Sequence, residues 1–191
     1  MKTKTKGNKY LGIILLIIIL VVGAWYLLGN KKKEVHNFDN VNTSATSTSN
    51  LNFDPLNFSY DIEGEKITLA NGTSTSDIVP GSAEKLETTV FDKPAIGDLN
   101  NDKENDSAVL LVQDSGGTGL FYYVVSVMNN AGVIKNTNSI FIGDRIEPIS
   151  IKIRNGKIEL VYIDRNTDEP MSAEPTVRTV KTFEVKGMIL Q

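Results

Sequence analysis

The sequence has no cysteine and a single histidine, His36. Without thiols there is no disulfide, no thiolate metal site, no thiol nucleophile and no lipidated cysteine. With neither His nor Cys after residue 36, the commonest acid–base and nucleophile pairs cannot be built in the remainder of the chain. Acid is also missing from the start. Lys2, Lys4, Lys6, Lys9, Lys31, Lys32 and Lys33 all precede Glu34, the first carboxylate. Of 20 Lys+Arg against 23 Asp+Glu, these 7 leave 13 − 23 = −10 on residues 34–191. A part that acidic is repelled by phosphate backbones, which argues against nucleic acid as a partner.

Tyr10 to Leu28 form 19 consecutive residues without a charge or a strongly polar side chain. As a helix they would measure about 28 Å, close to the hydrocarbon thickness of a bilayer. Tyr10, Trp25 and Tyr26 lie near the ends of the run, where aromatic rings favour the interface. A buried soluble helix would need a polar face. A cleavable signal peptide is the alternative, with Val22-Gly23-Ala24 as its site, but Trp25-Tyr26-Leu27-Leu28 continues the apolar run. The expected layout is a basic cytoplasmic tail at 1–9 and a transmembrane signal anchor at 10–29, its residues 10–28 meeting the lipid bilayer. The C-terminal part then lies outside the cytoplasm, in the cell membrane's exterior space. Asn42-Thr43-Ser44, Asn57-Phe58-Ser59 and Asn71-Gly72-Thr73 fit the glycosylation acceptor pattern, a weak signal in Asn/Ser/Thr-rich sequence.

Residues 30–52 are rich in Asn, Ser and Thr. Such a stretch buries too little apolar surface to offset its ordering entropy and reads as a flexible tether. His36 sits there as a solvated imidazole. From residue 53 to 191 short β-type runs alternate with turn signals. Leu56–Ile62 and Lys66–Ala70 form a hairpin around Glu63-Gly64-Glu65, and Glu87–Asp92 follows after a polar stretch, Asn71–Ser76. Ser82–Leu86 could make a single helical turn with Ser82 as its N-cap. Ala108–Gln113 is apolar throughout Ala108–Val112, which suggests a central strand covered on both faces. Leu120–Met128, Ser139–Ile142, Ile149–Arg154, Lys157–Asp164 and Thr176–Val185 complete the set, with Asn155-Gly156 as the strongest hairpin signal. The fold class expected is mainly β: a single antiparallel β-meander domain of about eight or nine strands, as a curled sheet, half-barrel or sandwich.

One loop carries chemistry. Gly97-Asp98-Leu99-Asn100-Asn101-Asp102-Lys103-Glu104-Asn105-Asp106 places oxygen-bearing side chains at positions 1, 3, 5 and 9, with Glu104 at position 7. That spacing wraps a short loop around one hard cation. An EF-hand is excluded, because Val109 stands where its bidentate Glu belongs and a strand follows. The loop resembles the Asp-x-Asn-x-Asp-Gly-x-x-Asp calcium loop of FG-GAP and VCBS repeats, over residues 97–110. The resemblance implies Ca2+ held by Asp98, Asn100, Asp102 and Asp106 through side chains and by Glu104 through its carbonyl. Lys103 replaces the loop glycine. Gly97–Asp106, Gly116–Tyr123, Gly143-Asp144-Arg145 and Glu169-Pro170-Met171 together are also similar to a family of uncharacterised bacterial exported and membrane-anchored proteins. That likeness implies an envelope protein and no particular activity.

Other chemistry fails on the residues. Asp114–Gly119 is glycine-rich but lacks a Gly-Lys-Ser/Thr ending, and Ser82-Ala83-Glu84-Lys85 lacks the partner motifs of a penicillin-binding enzyme. Asp164, Asp168 and Glu169 are candidates for a carboxylate pair. The reading that results is a membrane-anchored envelope protein whose exterior domain is a non-enzymatic binding or structural module, with calcium as a stabilising ion. The alternatives are a carboxylate-based envelope hydrolase and a subunit of a larger envelope complex. Phe121-Tyr122-Tyr123 is a candidate contribution to a ligand face.

Overall fold

The computed structural model describes residues 51–81 and 83–191. The basic tail, the anchor and residues 30–50 of the tether lie outside the described residues, as does Ser82. Among the described residues there are fourteen strands and no helix. They are β1 (Ser59–Ile62), β2 (Glu65–Thr68), β3 (Thr73–Asp77), β4 (Lys85–Val90), β5 (Ala95–Gly97), β6 (Asp106–Asp114) and β7 (Leu120–Asn130). They continue with β8 (Val133–Asn136), β9 (Ile140–Asp144), β10 (Glu147–Arg154), β11 (Lys157–Asp164), β12 (Val177–Phe183), β13 (Val185–Lys186) and β14 (Ile189–Leu190). Every ladder is antiparallel.

The main sheet has the path β3-β4-β6-β7-β8, with β5 added beside β6 and β9 beside β7. Its central strands β6 and β7 explain the apolar run, because both faces of this pair are covered. Ala108, Leu110, Tyr122 and Val124 point to one side, into a core shared with Ile151, Ile158, Leu160, Tyr162 and Phe183 of the β10-β11-β12 sheet. Val109, Leu111, Tyr123, Val125 and Val127 point to the other, into a core closed by Tyr60 and Ile62 of the β1–β2 hairpin and by Leu69. Period-two alternation therefore divides one continuous hydrophobic run between two cores. Each fully buried Val or Leu there contributes about 1.5–3 kcal/mol. The Tyr60 hydroxyl donates to the Pro55 carbonyl at 2.7 Å, and burial pushes it above the usual tyrosine range.

The turns follow their residues. Asn155 and Gly156 join β10 to β11 with φ of 51° and 71°, as a type I′ turn requires. Glu63 and Gly64 turn the first hairpin the same way. Several elements differ from the sequence reading. Thr73–Asp77, read as part of a polar connection, is an edge strand paired with β4; its Ser and Thr side chains are mostly exposed, so no apolar alternation marked it. The helical turn over Ser82–Leu86 does not form where the structure describes it, since Lys85 and Leu86 already belong to β4. Lys85 instead pairs with Asp77 across the β3–β4 ladder. The strands β5, β13 and β14 span only two or three residues and carry no pattern, and β8, Val133–Asn136, has only two adjacent apolar residues and no alternation.

Candidate functional site

The 98–106 loop links β5 to β6, which pair directly from Gly97↔Asp106 onward. Its side chains are spent first on its own backbone. Asp98 Oδ1 accepts the N–H groups of Asn100 at 3.1 Å and Asn101 at 2.7 Å, and Oδ2 accepts that of Lys103 at 2.9 Å. Asn100 Oδ1 accepts the Asp102 N–H at 3.0 Å, and Asp102 Oδ1 accepts the Glu104 N–H at 2.8 Å. Asn and Asp at alternate positions thus fold the loop through successive Asx turns. Asn101 and Lys103 take φ of 63° and 72°. Asn tolerates that left-handed conformation; Lys, in the place of the resembled glycine, is strained there.

Asp106 anchors the loop to the sheet. It is wholly buried, and its two oxygens accept the N–H of Asn129 and the N–H of Leu99, each at 2.8 Å. Burial pushes its carboxyl above the usual aspartate range, against those two hydrogen bonds and with the help of the nearby Asp102 and Asp98 charges. The Glu104 side chain accepts Asn129 Nδ2 at 3.3 Å. Asn100 Nδ2 donates to Asp102 Oδ2 at 2.8 Å and to Asn130 Oδ1 at 2.7 Å, tying the loop to the β7–β8 turn. The structure therefore brings Asp98, Asn100, Asp102 and Asp106 into one hydrogen-bonded loop. Among the described residues no group of three or more acidic or His side chains is already disposed as a metal cluster. The donor set is all oxygen, as calcium prefers; Asp98 Oδ2 and both Asp106 oxygens accept one N–H each and retain a further lone pair, whereas Asp98 Oδ1 already accepts two.

A second cluster lies at the opposite end of β6. Asp144 pairs with Arg145 through bonds of 3.0–3.2 Å, and Asp144 Oδ1 accepts the Leu120 N–H at 2.9 Å. Burial alone would raise the Asp144 carboxyl, but Arg145, Leu120 and Arg165 hold it below the usual range. Arg165 donates to the carbonyls of Ala173 and Arg145, at 2.5 and 2.9 Å, fastening the β11–β12 loop to the β9–β10 turn. So Gly143-Asp144-Arg145 and the segment containing Glu169-Pro170-Met171 serve one structural corner. Of the candidate carboxylates, Asp164 accepts the Arg165 N–H at 2.8 Å and Glu169 accepts the Asn166 N–H at 2.8 Å. Each shapes its own loop.

The aromatic run divides by face. Tyr122 belongs to the core beneath β10–β12, whereas Phe121 and Tyr123 lie on the hairpin side, beside Phe141 of β9. Phe141 was missed in the sequence; the signal was its place between Ile140 and Ile142, which alternation sends to the other core. Comparison of the chain with known families, curated proteins and solved structures gives no match.

Proposed function

We propose that this is a membrane-anchored envelope protein whose exterior, sandwich-like β domain is a non-enzymatic binding or structural module organised by one calcium ion. The observation that carries the calcium reading is the gathering of Asp98, Asn100 and Asp102 into one hydrogen-bonded loop, closed by the buried Asp106. Burial, and to a smaller degree the Asp102 and Asp98 charges, raise the Asp106 carboxyl, and a dication beside it would favour its ionised form. Asp98, Asn100 and Asp102 supply further oxygens from the same loop, and the Glu104 carbonyl completes the set that the FG-GAP and VCBS resemblance implies. The ion would act by electrostatics and cross-linking, joining β5, β6 and the β7–β8 turn at one end of the main sheet. The anchor reading rests on the uncharged 19-residue run at Tyr10–Leu28 and its flanking lysines.

Calorimetric titration of calcium into the chelator-treated full chain, with thermal melts, tests the reading. Calcium at about a hundredfold above Kd stabilises the fold by about 2.7 kcal/mol if only the folded state binds. Both the heat and the shift disappear in Asp98→Ala and Asp102→Ala. An unchanged melt with no heat would refute a calcium role and leave the anchored β module alone.

A further inference from the structure

The β1–β2 hairpin covers only part of its face of the main sheet. Beyond its Glu63-Gly64 turn a cleft of about 450 Å³ opens over β6, β7 and β9, within the size range of small-ligand sites. Phe121, Tyr123 and Phe141 line it together with Gln113, Leu86 and Glu63. The register builds this grouping: Gln113 lies opposite Phe121, and Tyr123 opposite Phe141. The rings form a continuous surface, with centroids 5.4 Å apart for Tyr123 and Phe141 and 6.3 Å for Phe121 and Phe141. Phe121 and Phe141 remain 36% and 49% exposed, although neighbouring apolar side chains on the same strands are buried. Glu63 lines the same cleft, and burial together with its negative charge pushes the Tyr123 hydroxyl above the usual tyrosine range. No positively charged side chain lines the cleft.

Ring faces and a carboxylate are both negative, and the part of the chain beyond residue 33 carries −10. Anions are repelled from such a site, while organic cations are attracted by the ring quadrupoles and steered by the overall field. A neutral sugar would stack on the rings without using the Glu63 charge. Among cations a primary ammonium is strongly hydrated, whereas a methylated one presents an apolar surface to the aromatic faces.

We propose that the Phe121–Tyr123–Phe141 cleft, with Glu63 at its rim, binds a quaternary ammonium head group. The site is at the other end of β6 from the calcium loop and does not depend on it.

The test uses the full chain in a non-ionic detergent, titrated with choline and followed by calorimetry and saturation-transfer NMR, with calcium and again with chelator. Saturable choline binding in both conditions is expected, weakened about tenfold or more by Phe141→Ala and by Glu63→Gln. Both residues are exposed, and unchanged melts verify that the variants fold. The uncharged isostere 3,3-dimethylbutan-1-ol should bind about tenfold more weakly or not at all. Phosphocholine binding as well as choline supports the site with a phosphate-linked source; choline alone supports it with a free cation. Absence of choline binding, equal binding of the isostere, or binding of N-acetylglucosamine in place of choline would overturn the proposal.

Discussion

Asp106 and Lys103 mark the two tensions in the 98–106 loop, one electrostatic and one steric. Asp106 satisfies the N–H groups of Leu99 and Asn129 inside the protein. Asp106→Ala leaves both donors buried without it and should cost about 1–3 kcal/mol, read by chemical denaturation. Because its folded-state carboxyl is raised, its contribution is fully present below the unfolded aspartate value and is lost as pH rises through the folded value. Asp144 has the opposite sign. Its lowered carboxyl contributes above the unfolded value and loses that contribution as pH falls through the folded one. A melt series across the acid range should therefore show Asp106→Ala removing a gain on acidification and Asp144→Ala removing a loss. If calcium binds at Asp106 as proposed, it competes with a proton there, so titrations at acid pH in buffers of different ionisation enthalpy should report proton release. Lys103 stands at φ 72°, where glycine is unstrained. Lys103→Gly should raise stability by up to about 1 kcal/mol and, by removing a positive charge, tighten calcium binding in the same titration.

At the scale of elements, strand packing explains residues that motif reading assigned to turns. Gly97 opens the calcium-loop motif, yet its role is close approach. A Cβ there would lie 2.8 Å from Ile153 Cγ2, where β5 packs against β10. Gly97→Ala should cost about 1–3 kcal/mol by overpacking, and Ile153→Ala should recover part of that loss; a double-mutant cycle of melts measures the coupling. Gly119 is similar, since a Cβ would meet the Phe121 ring at 2.8 Å. The strands with strong patterning were legible. Ala108–Gln113 read correctly as a central strand because both its faces are buried, and Asn155-Gly156 read correctly as a hairpin because the turn needs two left-handed residues. Thr73–Asp77 was illegible because an exposed edge strand has no core to write alternation into its sequence.

For the whole molecule, charge and anchoring are the properties to test. The −10 on residues 34–191 implies self-repulsion that salt screens. The melting temperature should rise with ionic strength, and calcium should add a further rise that salt alone does not reproduce. The run at 10–28 should keep the chain in the membrane fraction through alkaline extraction, and its deletion should release the chain to the soluble fraction.

Local chemistry was sufficient to read from the sequence the mainly β character, the central strand, the principal hairpin and the oxygen-rich spacing of Asp98, Asn100, Asp102, Glu104 and Asp106. Those features are set by period-two alternation, turn residues and donor spacing within a few positions. The tertiary structure alone decided how the alternating residues of β6 and β7 divide between two cores. It also decided that Asp106 is buried against Asn129, and that Glu63, at a hairpin turn, lines one cleft with Tyr123 and Phe141. These contacts join residues 20 to 80 positions apart, and only strand register across the sheets brings them together.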